Sequence, residues 1–348
     1  MKKVQYMKRL VLLGLLILLA GSCKIDSELF DEFEIELLEG LRFYPEGLFN
    51  PSSHRFIYFQ NSIFWIDYHQ DEFLFSLPVQ PEPHNNIYRH NIKKGRGPGE
   101  FMMPLSPFRS DQYLSFFDSH TGSFFMYNQD TLYNELRLSE YNPYTILQMV
   151  KLKNNRYMFS GALHNARFQL IDSNQQMLSN YAIFPGKLDD LSHEMWEKNL
   201  GCVNFNVARN NSFANIIYDS GIIEFFEVKN DTIIKINEFI YSDYEYSIIR
   251  KDGATLASRS KNNTGFIDIC SDDGNVFALY STVTWKENSD MAYFGDYILI
   301  YTWIGIPLKA LKLDIPLRGF SKVPGTNELW GLGHDLEGVY IVKYKYSM

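Results

Sequence analysis

Residues 203–240 read VNFNVARNNSFANIIYDSGIIEFFEVKNDTIIKINEFI, and three polar clusters divide them: Ala208 to Ser212, Asp219 to Gly221 and Lys229 to Asp231. Between the clusters lie short runs of apolar, β-branched and aromatic residues. Asn, Asp, Ser and Gly in the breaks supply the conformations of tight turns. The stretch therefore predicts four strands joined by three turns, one antiparallel meander. Composition agrees with sheet: 16% of the 348 residues are aromatic (27 Phe, 23 Tyr, 5 Trp), types that favour half-buried pleated positions. With 45% hydrophobic and 21% charged residues, the chain is long and apolar enough for a large core, which excludes a disordered or collagen-like chain.

The same grammar recurs on both sides of this segment. Turns between first and second strands fall near Asn61, Asp111, Asn154, Asn210, Asp273 and Gly325, and six turns imply six units. Their spacing averages about 53 residues, which suits four-stranded blades set radially, a β-propeller, rather than a solenoid of shorter repeats. Turns between second and third strands follow at His69, His120, His164, Ser220 and His334, and the fifth unit has a longer connection there, Lys286 to Ala292. The last unit supplies only three strands: Gly319 to Val323, Glu328 to Gly333 and Val339 to Tyr346. Phe33 to Leu38 (FEIELL) is a strand without partners of its own, and placing it in the vacant outer position of the last blade would pair both sheet edges. The fold class expected is all-β, a six-bladed propeller of four-stranded antiparallel blades spanning residues 33–348. One segment, Leu188 to Leu200, has a helical period, with Leu191, Met195 and Trp196 on one face.

The chain opens with Lys2, Lys3, Lys8 and Arg9 followed by the apolar run Leu10 to Ala20, a secretory signal too short to span a bilayer. Leu19-Ala20-Gly21-Ser22-Cys23 resembles a bacterial lipoprotein signal, which implies cleavage after residue 22 and lipid on Cys23. Ser22 replaces the commoner Gly or Ala, and the alternative is an ordinary signal ending near Ser22. Residues 23–32 then form an acidic tether; acids near such a cysteine also resemble an export signal to the outer surface. Without the four N-terminal basic residues, 29 of 33 Lys and Arg remain against 41 acids, a formal charge of −12. That sign repels phosphate backbones, so nucleic acid is not an expected partner. Cys202 and Cys270, 68 residues apart, have neither metal spacing nor a CxxC motif; two buried thiols are expected, with a Cys202–Cys270 disulfide, permitted in an oxidising compartment, as the alternative.

Between the first two units runs Lys93-Lys94-Gly95-Arg96-Gly97-Pro98-Gly99-Glu100-Phe101. It resembles the G-x-G-P-G-E-F signature of six-bladed propeller lipoproteins from Bacteroidetes, related in shape to NHL and TolB-like propellers. The resemblance implies a propeller at the cell envelope and no assigned reaction. Gly95, Gly97 and Gly99 permit close backbone approach and Pro98 fixes its own φ, so the loop is a shaped turn. No Lys-Ser or Lys-Thr pair follows Gly99, which separates it from a phosphate-binding loop. It has two readings, an inter-blade turn or a ligand-contacting loop. In the second, Gly95, Arg96, Gly97, Pro98, Gly99 and Glu100 are the candidate binding residues; in the first, Arg96 and Glu100 bond each other or nearby backbone.

Catalytic patterns are weak. The sequence contains no GxSxG elbow and no HExxH. Asp189-Asp190 and Asp272-Asp273 read as turn caps. The turn histidines belong to different blades, roughly 15 Å apart by sheet spacing, too far to share a metal ion. Asn204, Asn206 and Asp268 alternate as walls of a central channel should. No metal or cofactor is expected, and the aromatic residues read as blade packing. The expected function is a monomeric, lipid-anchored envelope module that binds or scaffolds a protein, peptide or glycan, with a propeller-type hydrolase or lyase at the channel mouth as the alternative.

Overall fold

The computed structural model describes residues 30–45, 55–67, 70–79, 86–95, 97, 100–109, 113–128, 131–191, 193–261, 264–335 and 338–347. Blade one comprises Phe56–Phe59, Ser62–Ile66, Glu72–Pro78 and Tyr88–Lys93; blade two Pro104–Arg109, Leu114–Asp118, Ser123–Asn128 and Thr131–Arg137. Blade three holds Ile146–Leu152, Arg156–Gly161, Phe168–Ile171 and Met177–Tyr181; blade four holds Asn204–Arg209, Ser212–Ile217, Ile222–Lys229 and Thr232–Ile240. Blade five is built from Gly265–Ser271, Asn275–Ser281, Gly295–Thr302 and Pro307–Leu317, and blade six from Gly319–Lys322, Glu328–Asp335 and Gly338–Lys345. Each blade meanders outward, and the six innermost strands touch one another in a closed ring. The protein is the expected six-bladed all-β propeller.

The turn residues do what their chemistry allows. Asn61, Asn154 and Asn210 sit at φ of 62°, 62° and 54°, a left-handed conformation that their short polar side chains tolerate. Asp272 Oδ1 accepts from the N–H groups of Gly274 and Asn275, both at 2.9 Å, closing the blade-five turn. The turn expected at Asp111 lies outside the described residues, between two paired strands of blade two.

Hydrophobic clusters fill the wedges between successive blades. Phe64 and Ile66 of blade one meet Phe116 and Phe125 of blade two. Between blades three and four, Phe213 and Phe226 stack at 4.6 Å, and Phe168 meets their edges at 5.4 and 5.2 Å. Such aromatic contacts are worth about 0.5–1.5 kcal/mol each beyond burial. The aromatic residues are thus the material of the wedges.

Closure of the ring corrects the sequence reading. Strand β1 (Glu34–Leu38), expected in blade six, instead adds a fifth strand to blade five, pairing parallel with Pro307–Leu317. The vacant place in blade six is taken by β2 (Leu41–Phe43), antiparallel to Gly338–Lys345. The N-terminus still closes the last blade, but through the next strand along. Both segments are β-prone; register against partners some 300 residues away decides between them. Phe30, assigned above to the tether, is fully buried against Tyr241, Tyr280 and Tyr297 at centroid distances of 5.4, 5.3 and 5.0 Å, so the packed body starts there.

Two insertions depart from the repeat. Helix α1 (Met195–Gly201) covers only the second half of the expected helical segment; a 3₁₀ turn at Gly186–Leu188 precedes it. Leu191, ahead of the helix, and Met195 pack on the cluster of Leu188, Cys202 and Tyr244, whereas Trp196 meets His164. The helix buries Glu197, Lys198 and Asn199, so the expected face of Leu191, Met195 and Trp196 is not the one it buries. A hairpin, Tyr246–Lys251 with Ala254–Arg259, stands between blades four and five and explains the long interval from Asn210 to Asp273. Among the described residues no helix is long and apolar enough to cross a membrane.

Candidate functional site

The innermost strand of each blade leaves one edge of N–H and C=O groups facing the axis, and a buried edge of that kind needs partners. Polar side chains supply them. Gln148 Oε1 accepts from Asn206 N–H at 2.5 Å while its Nε2 donates to Asn206 C=O at 2.9 Å. Ser321 Oγ accepts from Tyr58 N–H at 2.8 Å, and Asp268 Oδ2 from Phe320 N–H at 3.2 Å. Asn204, Asn206 and Asp268, expected to line the channel, are buried, with Asn206 and Asp268 tying neighbouring blades together.

Two arginines that sequence reasoning missed cross the axis. Arg109, at the end of blade two's inner strand, donates to Tyr58 C=O (3.3 Å), Lys322 C=O (2.9 Å) and Ser271 C=O (2.7 Å), reaching blades one, six and five. Arg55, just ahead of blade one, donates to Pro107 C=O at 3.3 Å, lies 3.7 Å from Asp268 Oδ1 and sits 5.0 Å over the Phe205 ring. Burial pushes the Asp268 carboxyl up to about 6, against the pull of Arg55 and the N–H groups of Phe320 and Ile269. Burial also raises the thiol of Cys270, which borders the same axial cavity of about 30 Å³. That volume has room for a few water molecules. In sequence Arg109 looks like an ordinary residue before a turn; only ring topology brings it to three other blades.

Beyond Arg109 the channel widens into a cavity of about 200 Å³, bordered by Phe108, Lys151, Ala208, Arg209, Asn210 and the run Ser271 to Asp273. Arg209 Nε pairs with Asp273 Oδ1 at 3.2 Å across the gap between blades four and five. Lys151 pairs with Glu135, which also accepts from Tyr157 Oη at 2.8 Å. Lys322, buried below, lies 3.6 Å from Asp272 Oδ2, and burial lowers its pKa. The mouth is therefore polar and of mixed sign, and its rim consists of turns between first and second strands.

The signature loop lies on the other face, where blades connect. Gly97 N–H donates to Glu100 Oε2 at 2.8 Å, Glu100 N–H to Gly97 C=O at 3.1 Å, and Gly95 N–H to Phe101 C=O at 2.9 Å. A Cβ on Gly95 would displace the Glu100 carboxylate from its place beside Gly97 N–H. Phe101 is buried and meets Phe125 at 4.5 Å. Arg96, Pro98 and Gly99, like Cys23 and His69, lie outside the described residues. The turn histidines contact neighbours near their own blades: His120 meets Tyr144 at 5.0 Å and His164 meets Trp196 at 5.9 Å. Among the described residues no group of three or more His, Cys, Asp or Glu is placed to hold a metal ion.

A second buried network was also missed. Arg167, in the connection between the second and third strands of blade three, and Glu224 of blade four are both fully buried; Arg167 Nη1 donates to Glu224 Oε1 at 2.8 Å and Nη2 to Asn204 Oδ1 at 3.1 Å. Asn215 Nδ2 donates to the same carboxylate at 3.1 Å. Cys202 lies beside this network, and burial pushes its thiol up to about 12; both Cys202 and Cys270 are free thiols.

Solved structures share the architecture at low identity. An exported protein of Bacteroides fragilis aligns at 11% identity over 89% of this chain and 95% of its own, with a TM-score of 0.51. The extracellular domain of a one-component system from Bacteroides thetaiotaomicron aligns at 11% identity over 89% of this chain and 42% of that one (TM-score 0.40). Streptogramin B lyase aligns at 11% over 89% and 87% (TM-score 0.42). At such identities the likeness concerns the fold alone. No curated protein matches the chain. Residues 53–322, five full blades and the inner strand of the sixth, match the family described as TolB-like 6-blade propeller-like, and with six blades closed around one axis the chain belongs to that family of TolB-like six-bladed propellers.

Proposed function

We propose that this propeller is a lipid-anchored protein of the bacterial cell envelope that binds an envelope protein, peptide or glycan, tied to the membrane through Cys23 and working as a monomer. The observation that carries the reading is the open, mixed-charge cavity at the channel mouth, bordered by Arg209, Asp273 and Lys151, above an axis whose polar groups are engaged with one another. A hollow of about 200 Å³ with charges of both signs suits one polar end of a larger partner, such as a chain terminus or a sugar. The exported protein of Bacteroides fragilis that shares this fold agrees with an envelope location. The signature loop, with Gly95, Arg96, Gly97, Pro98, Gly99 and Glu100, is the second candidate surface, on the opposite face.

One observation favours the alternative of a hydrolase or lyase: Asp268 has a carboxyl pushed up to about 6, within range for proton transfer. Against it, Asp268 is held by Arg55 and by the N–H groups of Phe320 and Ile269, in a space with room for only a few waters.

Affinity capture of envelope components by the full acylated protein tests the binding reading. Arg209→Ala with Asp273→Ala should remove the captured partner, whereas Arg96→Ala should leave it. Loss with Arg96→Ala alone would move the site to the signature loop, and unchanged capture with both variants would remove both surfaces. Metabolic labelling with a fatty-acid analogue, native against Cys23→Ala, tests the anchor; equal labelling would contradict it.

A further inference from the structure

Exposed apolar side chains are scattered over most of this surface, as is ordinary. At the rim of the wedge between blades four and five they gather. Ile234, Ile236, Ile304, Ile306 and Leu308 are each 40–56% exposed. Ile236 is the residue inserted by a bulge in the outer strand of blade four, between the Phe225/Asn237 and Phe226/Lys235 pairs. Its neighbour Asn237 donates to Gly305 C=O at 3.0 Å, and Gly305 is flanked by Ile304 and Ile306 at the blade-five turn. Gly305, at φ 78°, lies so close to Phe225 and Asn237 that a Cβ would meet them at 2.6 and 2.9 Å. The bulge and the turn are thus locked together with their isoleucines outward. The most prominent exposed apolar patch on a protein surface is often functional.

The chain leading from Cys23 enters the body in the same wedge. Phe30 is buried against Tyr241, Tyr280 and Tyr297, and Phe33 meets Tyr301 at 5.3 Å, the ring that Phe225 also meets at 5.3 Å. Seven residue steps separate Cys23 from Phe30, which fully extended reach at most about 25 Å. A domain of this length is about 50 Å across. A lipid on Cys23 therefore cannot reach around to the far side, and the rim nearest the bilayer is that of blades four and five.

We propose that this isoleucine patch lies on the lipid surface to which Cys23 is tied, so that the propeller stands with the blade-four and blade-five rim against the membrane and the opposite rim away from it. The proposal rests on the lipid-anchor reading: the acyl chains hold the protein at the surface, and the patch decides which side faces it. Five partly exposed aliphatic side chains entering the headgroup boundary add favourable apolar burial without spanning the bilayer.

The test uses the full acylated protein in vesicles of phosphatidylethanolamine and phosphatidylglycerol. Cys202 and Cys270 have thiols held protonated by burial and react slowly, so a single surface cysteine can be labelled with an environment-sensitive fluorophore. The label at Ile304→Cys should be quenched roughly threefold by doxyl lipids, while the label at Tyr88→Cys, exposed on the outer strand of blade one across the ring, should not change. In a background of Ile234→Glu and Ile236→Glu, quenching at position 304 should disappear while the protein still floats with the vesicles. Lipidated protein with equal quenching at both positions, or with none at 304, overturns the docking alone. Quenching at 304 that depends on protein density and not on doxyl lipid would assign the patch to a second copy and overturn it likewise. Absence of lipid on Cys23, read by mass spectrometry, overturns the anchor and the docking together.

Discussion

Arg167 and Glu224 show how a charged pair can be structural. Neither side chain touches solvent, and the carboxylate is held by Arg167 and Asn215 while the guanidinium is shared with Asn204 and lies 4.9 Å over Phe168. Removing one partner strands a buried charge, which costs about 3–5 kcal/mol, whereas replacing both by apolar residues of similar volume is often near neutral. Glu224→Ala should therefore lower unfolding free energy by about 3–5 kcal/mol in a urea titration, and Arg167→Met with Glu224→Leu should recover most of it. Arg109 is expected to behave likewise at the axis. Arg109→Ala leaves the Tyr58, Lys322 and Ser271 carbonyls without this donor, and a loss of about 1–3 kcal/mol in the same titration is the expected outcome.

Between β1 and β2 the chain passes from one blade to the next at Gly40, whose N–H donates to Asp314 Oδ1 at 3.0 Å and where a Cβ would lie 2.5 Å from Val342 and 2.8 Å from Tyr344. Gly40→Val should cost about 1–3 kcal/mol through overpacking, seen as a lower denaturation midpoint with an unchanged slope. A carboxylate fastens β1 as well. Burial alone would push the Glu36 carboxyl up, but Ser347 N–H at 2.8 Å, Ser347 Oγ at 2.9 Å and Lys309 Nζ at 3.1 Å outweigh it and hold it below the usual range. A carboxyl with a lowered folded pKa contributes stability that is present above the unfolded value, about 4.3, and lost as pH falls through the folded one. The midpoint should drop less steeply on acidification in Glu36→Gln than in the native protein. These elements also show what the sequence could tell. Polar turns at Asn61, Asn154, Asn210 and Gly325 announce themselves by local conformation, and so did the blades. FEIELL is a better strand pattern than LRF, and both form strands, but which sheet edge each joins is fixed by contacts with residues 307–317 and 338–345 that no local pattern records.

At the scale of the molecule, the same limit governs the site. Composition, turn spacing and the outward rhythm of strands were sufficient for six blades, because the four meandering strands of blades one to five and three strands of blade six are written in consecutive residues. The axis is not: Arg109, Tyr58, Ser271 and Lys322 come from four blades and meet only when the ring shuts. Removing residues 30–45 would uncover the outer edges of blades five and six together. That truncated protein should melt several degrees lower and self-associate, read by light scattering during heating.

The pairing of Leu41–Phe43 with Gly338–Lys345 carries a kinetic consequence. As the chain is synthesised the early partner emerges first and waits for nearly the whole polypeptide to follow, since Glu36 and Ser347, 311 positions apart, clasp only at the end. Contacts so remote in sequence form slowly, and unmatched strands invite wrong liaisons in the interval. Completion of the circle is thus the final act of maturation, and any helper that shields the nascent protein has its work to do before residue 345 arrives.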